Sequence, residues 1–174
     1  FAATVLRPAQ AAGDSFTAFV VLPKEASEKL PRRARTTVTG HINGVAFQAT
    51  LEPDGQLSHW LALNDKLLDA AGADFGSVAS FDIKAVEQEP EPELPADLQQ
   101  ALAASAEARA VWHDTTTIAR LDWIHWITSA KQAKTRAKRI SDACNMLAEG
   151  KRRVCCFDPS GFYSKAFSAP KAAD

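Results

Sequence analysis

The densest group of chemically active side chains in the sequence is a run of bases that follows two tryptophans. Trp123 and Trp126 precede five basic residues between positions 131 and 139. Lysine and arginine neutralise phosphates, and indole rings can stack on nucleic-acid bases. The pattern therefore allows an anion site or a nucleic-acid site. The competing interpretation is a solvated helix face for the bases and a core position for the tryptophans.

A helix drawn through residues 120–150 gives these bases defined positions. At about 100° per residue, one side of this helix is apolar. The members of that side are Trp126, Ala130, Ala133, Ala137, Ile140, Cys144 and Leu147. Threonine and arginine at a helix start favour an anion site, because amides and guanidinium groups converge there. The binding residues expected from the sequence are Lys131, Thr135, Arg136, Arg139, Trp126 and, from the first half of the chain, His59.

Two further features of this stretch bear on that expectation. A periodic pattern of this length without an internal cap is long for one helix, which favours a break around residues 131–135. Residues 115–117 would cap the first helix and Gly150 would end the second. Arg136 borders the apolar side, so a structural ion pair with a carboxylate of the predicted barrel is the alternative to ligand binding.

Other reactive side chains are scattered. Three cysteines include the neighbours Cys155 and Cys156, which rarely bridge to each other, and no histidine lies at metal-ligand spacing from them. We therefore expect reduced thiols and no metal site, with a redox or soft-metal role as the minor alternative. Asp122 and His125, three residues apart, are expected to make a surface contact.

The sequence carries none of the common catalytic motifs. The chain has no phosphate-binding loop, dinucleotide fingerprint, serine elbow or zinc-protease motif. We expect no cofactor and a non-enzymatic function. A small-molecule enzyme with a pocket lined by His59, Trp60 or His125, in a cleft between the two predicted domains, stays an alternative, because catalytic triads can be non-local in sequence.

Composition bounds the class of protein. The 174 residues are 46% hydrophobic, as in ordinary globular domains. No apolar run approaches the length of a transmembrane helix and no signal segment leads the chain, so we expect a cytoplasmic protein without a membrane span. Residues 1–107 carry 8 bases and 15 acids, whereas residues 108–174 carry 12 bases and 6 acids. Opposite charges favour contact between the halves or between protomers.

Patterns along the chain predict an α+β fold with a boundary in the middle. Residues 1–86 read as short strands of a small β-barrel, with a hairpin turn at Asn43-Gly44. The Glu-Pro segment 87–95 is predicted to be a linker. Residues 96–152 read as helices, the first spanning 96–112. Residues 153–174 are predicted to form a strand at 154–157 and a tail whose aromatic residues pack on the helices and whose end is disordered.

Spaced residues in both halves resemble known families. The first set is Val38-x-Gly40-x-Ile42-x-Gly44-x-x-Phe47, Leu51-x-x-x-Gly55-x-x-x-His59-x-Leu61-x-Leu63 and Ala71-Gly72-x-x-x-Gly76-x-Val78. It is similar to a small bacterial β-barrel domain of unknown function. The second set is Trp126-Ile127-x-x-Ala130-Lys131, Thr135-Arg136-x-x-Arg139-Ile140 and Leu147-Ala148-x-Gly150-Lys151. It resembles the bacteriocin-protection, OmpD-associated family, and together the sets cover residues 15–152.

The resemblance implies an N-terminal small double-split β-barrel followed by a C-terminal helical bundle. It links the helical half by name to protection against antimicrobial peptides, and it supplies no catalytic residues. We therefore expect a non-enzymatic binding or stress-protection protein that meets an anionic ligand or a protein partner. Nucleic-acid binding by the basic half is the alternative, and an oligomer remains open.

Overall fold

The computed structural model of the chain describes residues 1–13 and 15–174. Its regular elements are β1 (Ala2–Thr4), β2 (Ala18–Val21), α1 (Lys24–Ser27), β3 (Thr36–Ile42), β4 (Val45–Pro53), β5 (His59–Leu63), α2 (Asp65–Ala71), β6 (Val78–Ala85), α3 (Ala96–Ala103), α4 (Ala106–Asp114), α5 (Thr117–Thr128) and α6 (Ala133–Ala148). The predicted α+β class is confirmed. Two compact units are present: the first unit comprises residues 1–88 and 160–174, and the second unit comprises residues 89–159.

The six strands of the first unit form one antiparallel sheet in the order β1-β6-β3-β4-β5-β2. Leu6, just after β1, pairs with Phe19 of β2 through backbone hydrogen bonds of 2.9 Å in both directions. The two end strands of the sheet therefore meet, and the sheet is a nearly closed barrel. Closure protects most of the strand edges that an open sheet would expose.

Local turn signals in the barrel are confirmed. Asn43 and Gly44 connect β3 to β4 with φ values of 47° and 82°. Positive φ at both central positions belongs to a type I′ turn, whose twist matches that of the flanking strands. Asn64 caps α2 by accepting a hydrogen bond from the Leu67 amide, and Gly72 ends α2 in the left-handed conformation.

The paired strands β3 and β6 approach each other unusually closely at one glycine. A Cβ atom built on Gly40 would lie 1.9 Å from the carbonyl oxygen of Asp82 and 2.8 Å from the Cα of Ile83. No side chain fits in that space. Gly40 therefore allows the two strands to approach and coil where the sheet curves into a barrel.

Alternation along the strands fills the barrel interior. In β5, for example, His59, Leu61 and Leu63 are buried while Trp60 and Ala62 are half-buried. The buried apolar side chains of this core, apart from alanines, are Val5, Val20, Leu22, Val38, Ile42, Leu51, Leu61, Leu63, Leu68 and Phe81. Their removal from water is the main stabilising contribution to the first unit.

The second unit has its own apolar core, which α3, α4, α5 and α6 build. Its buried residues are Leu98, Leu102, Ala108, Trp112, Trp123, Ile124, Ile127, Ile140, Ala143 and Leu147. The single helix predicted over residues 96–112 is wrong. Helix α3 ends at Ala103 and a new helix, α4, begins at Ala106. The Ser105 side chain caps α4 by accepting a hydrogen bond from the Ala108 amide over 3.3 Å.

The chain end also differs from the prediction. Residues 154–157 form no strand. Residues 160–174 belong to the first unit, where Ala172 pairs with Pro8 and the Ala173 amide donates to the Arg7 carbonyl over 2.8 Å. The end of the tail is therefore paired with residues 7 and 8 and not disordered as expected, while the packing of its aromatic residues on the helices stays a prediction. Among the residues that the structure describes, no helix has the length and apolarity needed to cross a bilayer.

Candidate functional site

A short connection between two helices lies among the predicted binding residues of the second unit. Helix α5 ends at Thr128 and α6 begins at Ala133, so the predicted break is present but lies two to three residues earlier than expected. Because of this break, the residues predicted to share one apolar side do not all lie on the same buried face. Ala133 and Ala137 are exposed, whereas Ile140, Ala143 and Leu147 form the buried face of α6.

Arg139 of α6 binds the C-terminal end of α5. Its Nη1 donates to the Trp126 carbonyl oxygen over 2.5 Å and to Ser129 Oγ over 3.3 Å. Its guanidinium also lies 5.4 Å from the centre of the Trp126 ring. A cation that binds the last carbonyls of a helix satisfies groups without an intrahelical partner and complements the helix dipole. Arg139 therefore holds the end of α5 against α6.

Arg136 makes a two-pronged ion pair with Asp97 of α3. Nε donates to Oδ2 over 2.7 Å and Nη2 donates to Oδ1 over 3.0 Å. The hydrogen bond from Arg136 holds the pKa of the Asp97 carboxyl below its usual value, and the same bond raises the pKa of Arg136. The structural alternative for Arg136 thus has a partner, but the partner is in the second unit and not in the barrel.

Two exposed lysines lie in and just after the connection between α5 and α6. Lys131 lies in the connection, Lys134 lies in the first turn of α6, and both are exposed. Neither has a carboxylate partner among the described residues, whereas Lys138 pairs with Asp142 over 2.6 Å. The start of α6 has no side-chain cap from the described chain. Its first intrahelical bond runs from the Arg136 amide to the Gln132 carbonyl.

These features give the start of α6 a positive electrostatic character. The amides of Ala133, Lys134 and Thr135 precede the first intrahelical bond, and the helix dipole adds partial positive charge at this end. Thr135 is half-buried beside them. We name Lys131, Lys134, Thr135 and these amides the α6 corner. It is the place in the second unit where exposed cations and backbone donors come together.

The two tryptophans before the corner differ in burial. Trp123 is fully buried, and its Nε1 donates to the Arg152 carbonyl oxygen over 3.1 Å. Trp126 is half-buried and packs edge-on to Trp123 with ring centres 6.2 Å apart. Trp123 is therefore a core residue, and only part of the Trp126 ring can meet a ligand.

His59, the remaining predicted binding residue, lies inside the first unit. Its side chain is fully buried, with Nε2 2.9 Å from the Ala34 carbonyl oxygen and Nδ1 2.7 Å from Ser27 Oγ. A carbonyl can only accept, so Nε2 carries the proton and Nδ1 accepts from the Ser27 hydroxyl in the neutral ring. Burial is the largest cause of a lowered His59 pKa. In the structure, His59 therefore links β5 to residues 27 and 34 through hydrogen bonds inside the first unit.

The charge asymmetry of the sequence disappears when the chain is divided as it folds. Residues 89–159 contain ten basic and ten acidic side chains, and the first unit contains ten basic and eleven acidic ones. Part of the Glu-Pro segment belongs to the second unit, where Glu91 accepts hydrogen bonds from Nε of Arg120 over 2.6 Å and from Nη2 over 2.8 Å. The unit that carries the basic run is thus neutral overall.

Other predicted chemistry falls in separate places. His125 is buried, 2% exposed, with its ring edge-on to Phe157 at 5.4 Å between centres, so the surface position expected for it is wrong, and its contact with Asp122 stays a prediction. Cys155 and Cys156 are exposed and Cys144 is half-buried. Within residues 1–13 and 15–174, no group of three or more His, Cys, Asp or Glu side chains is arranged to hold a metal ion.

Several structural partners were not visible in the sequence. Asp97 and Arg136 are 39 positions apart, and Glu91 and Arg120 are 29 apart. The first unit also contains a groove of about 640 Å³ that Pro8, Phe16, Trp60, Pro170 and Lys171 help to line. It depends on the return of residues 168–171 to the barrel, and no local pattern signals that return.

Comparison with protein families agrees with the division of the chain. Residues 1–83 match the model of a domain of unknown function, DUF1905. Residues 91–150 match the model described as bacteriocin-protection, YdeI or OmpD-associated. No curated protein and no solved structure matches the chain. Residues 1–83 are therefore similar to DUF1905 and residues 91–150 to the bacteriocin-protection family, and the resemblance drawn from the spaced residues is confirmed at that level.

Proposed function

We propose that this chain is a non-enzymatic binding protein of the cytoplasm with a role in protection against bacteriocins or other antimicrobial peptides. The description of the family model that matches residues 91–150 supports the protective role. In this proposal the first unit is a double-split barrel and the second unit is a small helical bundle that carries the binding surface.

We propose further that the α6 corner binds an anionic group of the ligand or partner. One observation carries this proposal: exposed Lys131 and Lys134 lie without carboxylate partners beside the uncapped start of a 16-residue helix. Free amides and lysines at a helix start form a favourable environment for phosphate or carboxylate. Thr135 can add a hydroxyl donor from the same turn.

The two arginines take a supporting role in this proposal. Arg139 fixes the end of α5 and Arg136 fixes α6 against α3, so both define the angle at which the corner presents its donors. Their guanidinium groups already have internal acceptors. Removal of either arginine is therefore expected to weaken anion binding through loss of position, and to lower stability at the same time.

Titration with inorganic phosphate, pyrophosphate and a single-stranded oligonucleotide tests the site. The measurement is the shift in thermal unfolding midpoint at low and at moderate salt, because a ligand that binds only the folded state raises the midpoint. We expect the paired variant Lys131→Ala/Lys134→Ala to lose the phosphate-dependent shift. Lys138→Ala removes one positive charge from α6 but leaves the α6 corner intact, and it should keep the shift.

The outcomes separate the candidate functions. A phosphate shift that survives in Lys131→Ala/Lys134→Ala would reject the α6 corner as the site. Oligonucleotide binding that weakens steeply with salt would support the nucleic-acid alternative instead. The neutral charge of residues 89–159 argues against that alternative. Survival of a peptide-sensitive bacterium that expresses wild type, compared with the same bacterium without the protein, tests the protective role separately from the binding site.

A further inference from the structure

Two adjacent thiols share one side of a surface turn in the second unit. Cys155 and Cys156 follow α6, both are exposed, and their Sγ atoms lie 2.9 Å apart. Cys156 has a φ of +58°, a left-handed conformation that is uncommon for a residue with a side chain. The turn thus holds the two sulfur atoms together at the surface, where a reagent can reach both.

The backbone on each side of the pair is tied to the core of the second unit. Before it, the carbonyl oxygen of Arg152 accepts hydrogen bonds from Thr115 Oγ1 and from Trp123 Nε1, each over 3.1 Å. After it, the ring of Phe157 packs against the buried ring of His125. A turn fixed at both ends loses little conformational entropy when a ligand binds its two thiols.

The number of donors decides which ligand the pair suits. Thiolates are soft ligands that select soft metals and metalloids. A closed zinc site needs four protein ligands, and among the described residues the sulfur pair has no third donor arranged with it. Two neighbouring sulfurs are sufficient for a trivalent metalloid that keeps one non-protein substituent.

We propose that Cys155 and Cys156 form a chelating dithiol site for trivalent thiophilic metalloids of the arsenic(III) class. With an organic arsenic(III) oxide, two S–H bonds and the arsenic–oxygen bond break, and two As–S bonds form. Both thiol protons leave with the oxygen as one water molecule, and arsenic and sulfur keep their oxidation states.

The electrostatics of the pair favours this condensation over reaction with peroxide. The hydrogen bond with Cys155, followed by repulsion between the two sulfurs, raises the pKa of the Cys156 thiol. Peroxide-sensing cysteines generally have a lowered pKa and react as thiolates. A Cys156 thiol with a raised pKa is a poor peroxide sensor, whereas condensation with an arsenic oxide proceeds from the thiol and releases its proton in water.

Phenylarsine oxide added to the reduced, reductant-free protein tests the proposal. We expect one adduct per chain in the intact mass, with the loss of two reactive thiols, and reversal by 1,2-ethanedithiol but not by a monothiol. Cys155→Ser and Cys156→Ser should each weaken binding by about 100-fold or more, because the second As–S bond then loses its intramolecular advantage. Cys144→Ser should bind as wild type does.

Three results would overturn the site. The first is no adduct although a thiol count shows both cysteines free. The second is an adduct of equal affinity in Cys155→Ser and Cys156→Ser. The third is a zinc ion that these cysteines hold between two copies of the chain and that phenylarsine oxide cannot displace. Both serine variants replace exposed thiols, and an unchanged circular dichroism spectrum would show that lost binding is not lost folding.

Discussion

Arg136 donates two hydrogen bonds to the carboxylate of Asp97, of 2.7 Å and 3.0 Å, and so ties the first half of α6 to the first turn of α3. The side chains are 33% and 45% exposed, so solvent screens their attraction. The two-pronged geometry is nevertheless the most favourable arrangement for an arginine–carboxylate pair. This pair accounts for Arg136 without a ligand.

We predict a coupling energy of about 0.5–1 kcal/mol between Arg136 and Asp97. A double-mutant cycle of Arg136→Ala and Asp97→Ala measures it in urea unfolding. Tryptophan fluorescence is a suitable signal, because Trp112, Trp123 and Trp126 lie in the second unit. The cycle is needed because Asp97 also accepts a hydrogen bond from the Leu98 amide, which Asp97→Ala removes as well.

Lys138 and Asp142 provide the matched control for that cycle. They form an exposed pair on one helix, for which about 0.3–0.5 kcal/mol is expected. A coupling between Arg136 and Asp97 no larger than this control, together with loss of phosphate binding in Arg136→Ala, would return Arg136 to the role of a direct ligand.

The sequence predicted the parts of the fold that depend on local chemistry. Positive φ at Asn43 and Gly44, the cap at Thr116 and the left-handed Gly150 all follow from residue types and their neighbours. The gap between α3 and α4 did not follow, because its cap, Ser105, lies in an alanine-rich stretch without glycine or proline. Short polar caps of this kind are weak signals within a continuous helical pattern.

The candidate site was predictable only in outline. The basic run and the helix break near it could be inferred, but not the internal partners of Arg136 and Arg139. Those partners depend on tertiary packing, which brings together residues far apart in sequence. The same limit applied to the charge balance, because the acidic segment that neutralises the basic run precedes it by about 40 residues.

Gly40 is predicted to be indispensable to the barrel. Gly40→Ala places a Cβ 1.9 Å from the backbone oxygen of Asp82, which cannot move without separating β3 from β6. We expect a loss of more than about 4 kcal/mol in the free energy of unfolding, or failure to fold. Urea unfolding followed by circular dichroism, or the yield of soluble protein, measures the effect.

Gly44→Ala separates this steric effect from ordinary glycine strain. A Cβ on Gly44 meets nothing within 4 Å, and only its φ of +82° opposes the substitution. The expected loss is about 1–2 kcal/mol. Equal losses at the two positions would show that the close approach of β3 and β6 is not what requires glycine at residue 40.

His59 is predicted to make the stability of the first unit dependent on pH. Its folded-state pKa is lowered from 6.5, mainly by burial, so the unfolded chain binds the proton more tightly than the folded one. The stabilising contribution is complete above about pH 6.5 and is lost as pH falls through the folded-state pKa. Urea unfolding of wild type should therefore show declining stability below pH 6.5.

His59→Gln should remove that part of the pH dependence. The variant is expected to be less stable by about 1–3 kcal/mol at pH 8, because the Ser27 hydroxyl and the Ala34 carbonyl lose a well-placed partner. His41→Gln, at an exposed position in β3, serves as the control and should keep the wild-type slope. An unchanged slope in His59→Gln would assign the pH dependence to other groups.

Phe167 is predicted to stabilise the returning tail, because its backbone lies against the barrel at Gly55 and its ring packs on Gly161 within the tail. A Cβ atom built on Gly55 would lie 2.1 Å from the carbonyl oxygen of Phe167. A Cβ atom built on Gly161 would lie 2.5 Å from the ring of Phe167. Two glycines therefore accommodate one half-buried phenylalanine. Phe167→Ala should lower the stability of the first unit by about 1–3 kcal/mol, less than for a fully buried ring.

Amide hydrogen exchange locates the effect of Phe167→Ala. We expect faster exchange at Ala9 and Ala173, whose amides donate to the Lys171 and Arg7 carbonyls over 2.7 Å and 2.8 Å. Tyr163, which is 82% exposed in the same tail, gives the matched control, and Tyr163→Ala should change stability by less than about 0.5 kcal/mol. If exchange at both amides stayed at the wild-type rate in Phe167→Ala, the backbone pairs alone would hold the tail, because loss of the ring would have left their opening equilibrium unchanged.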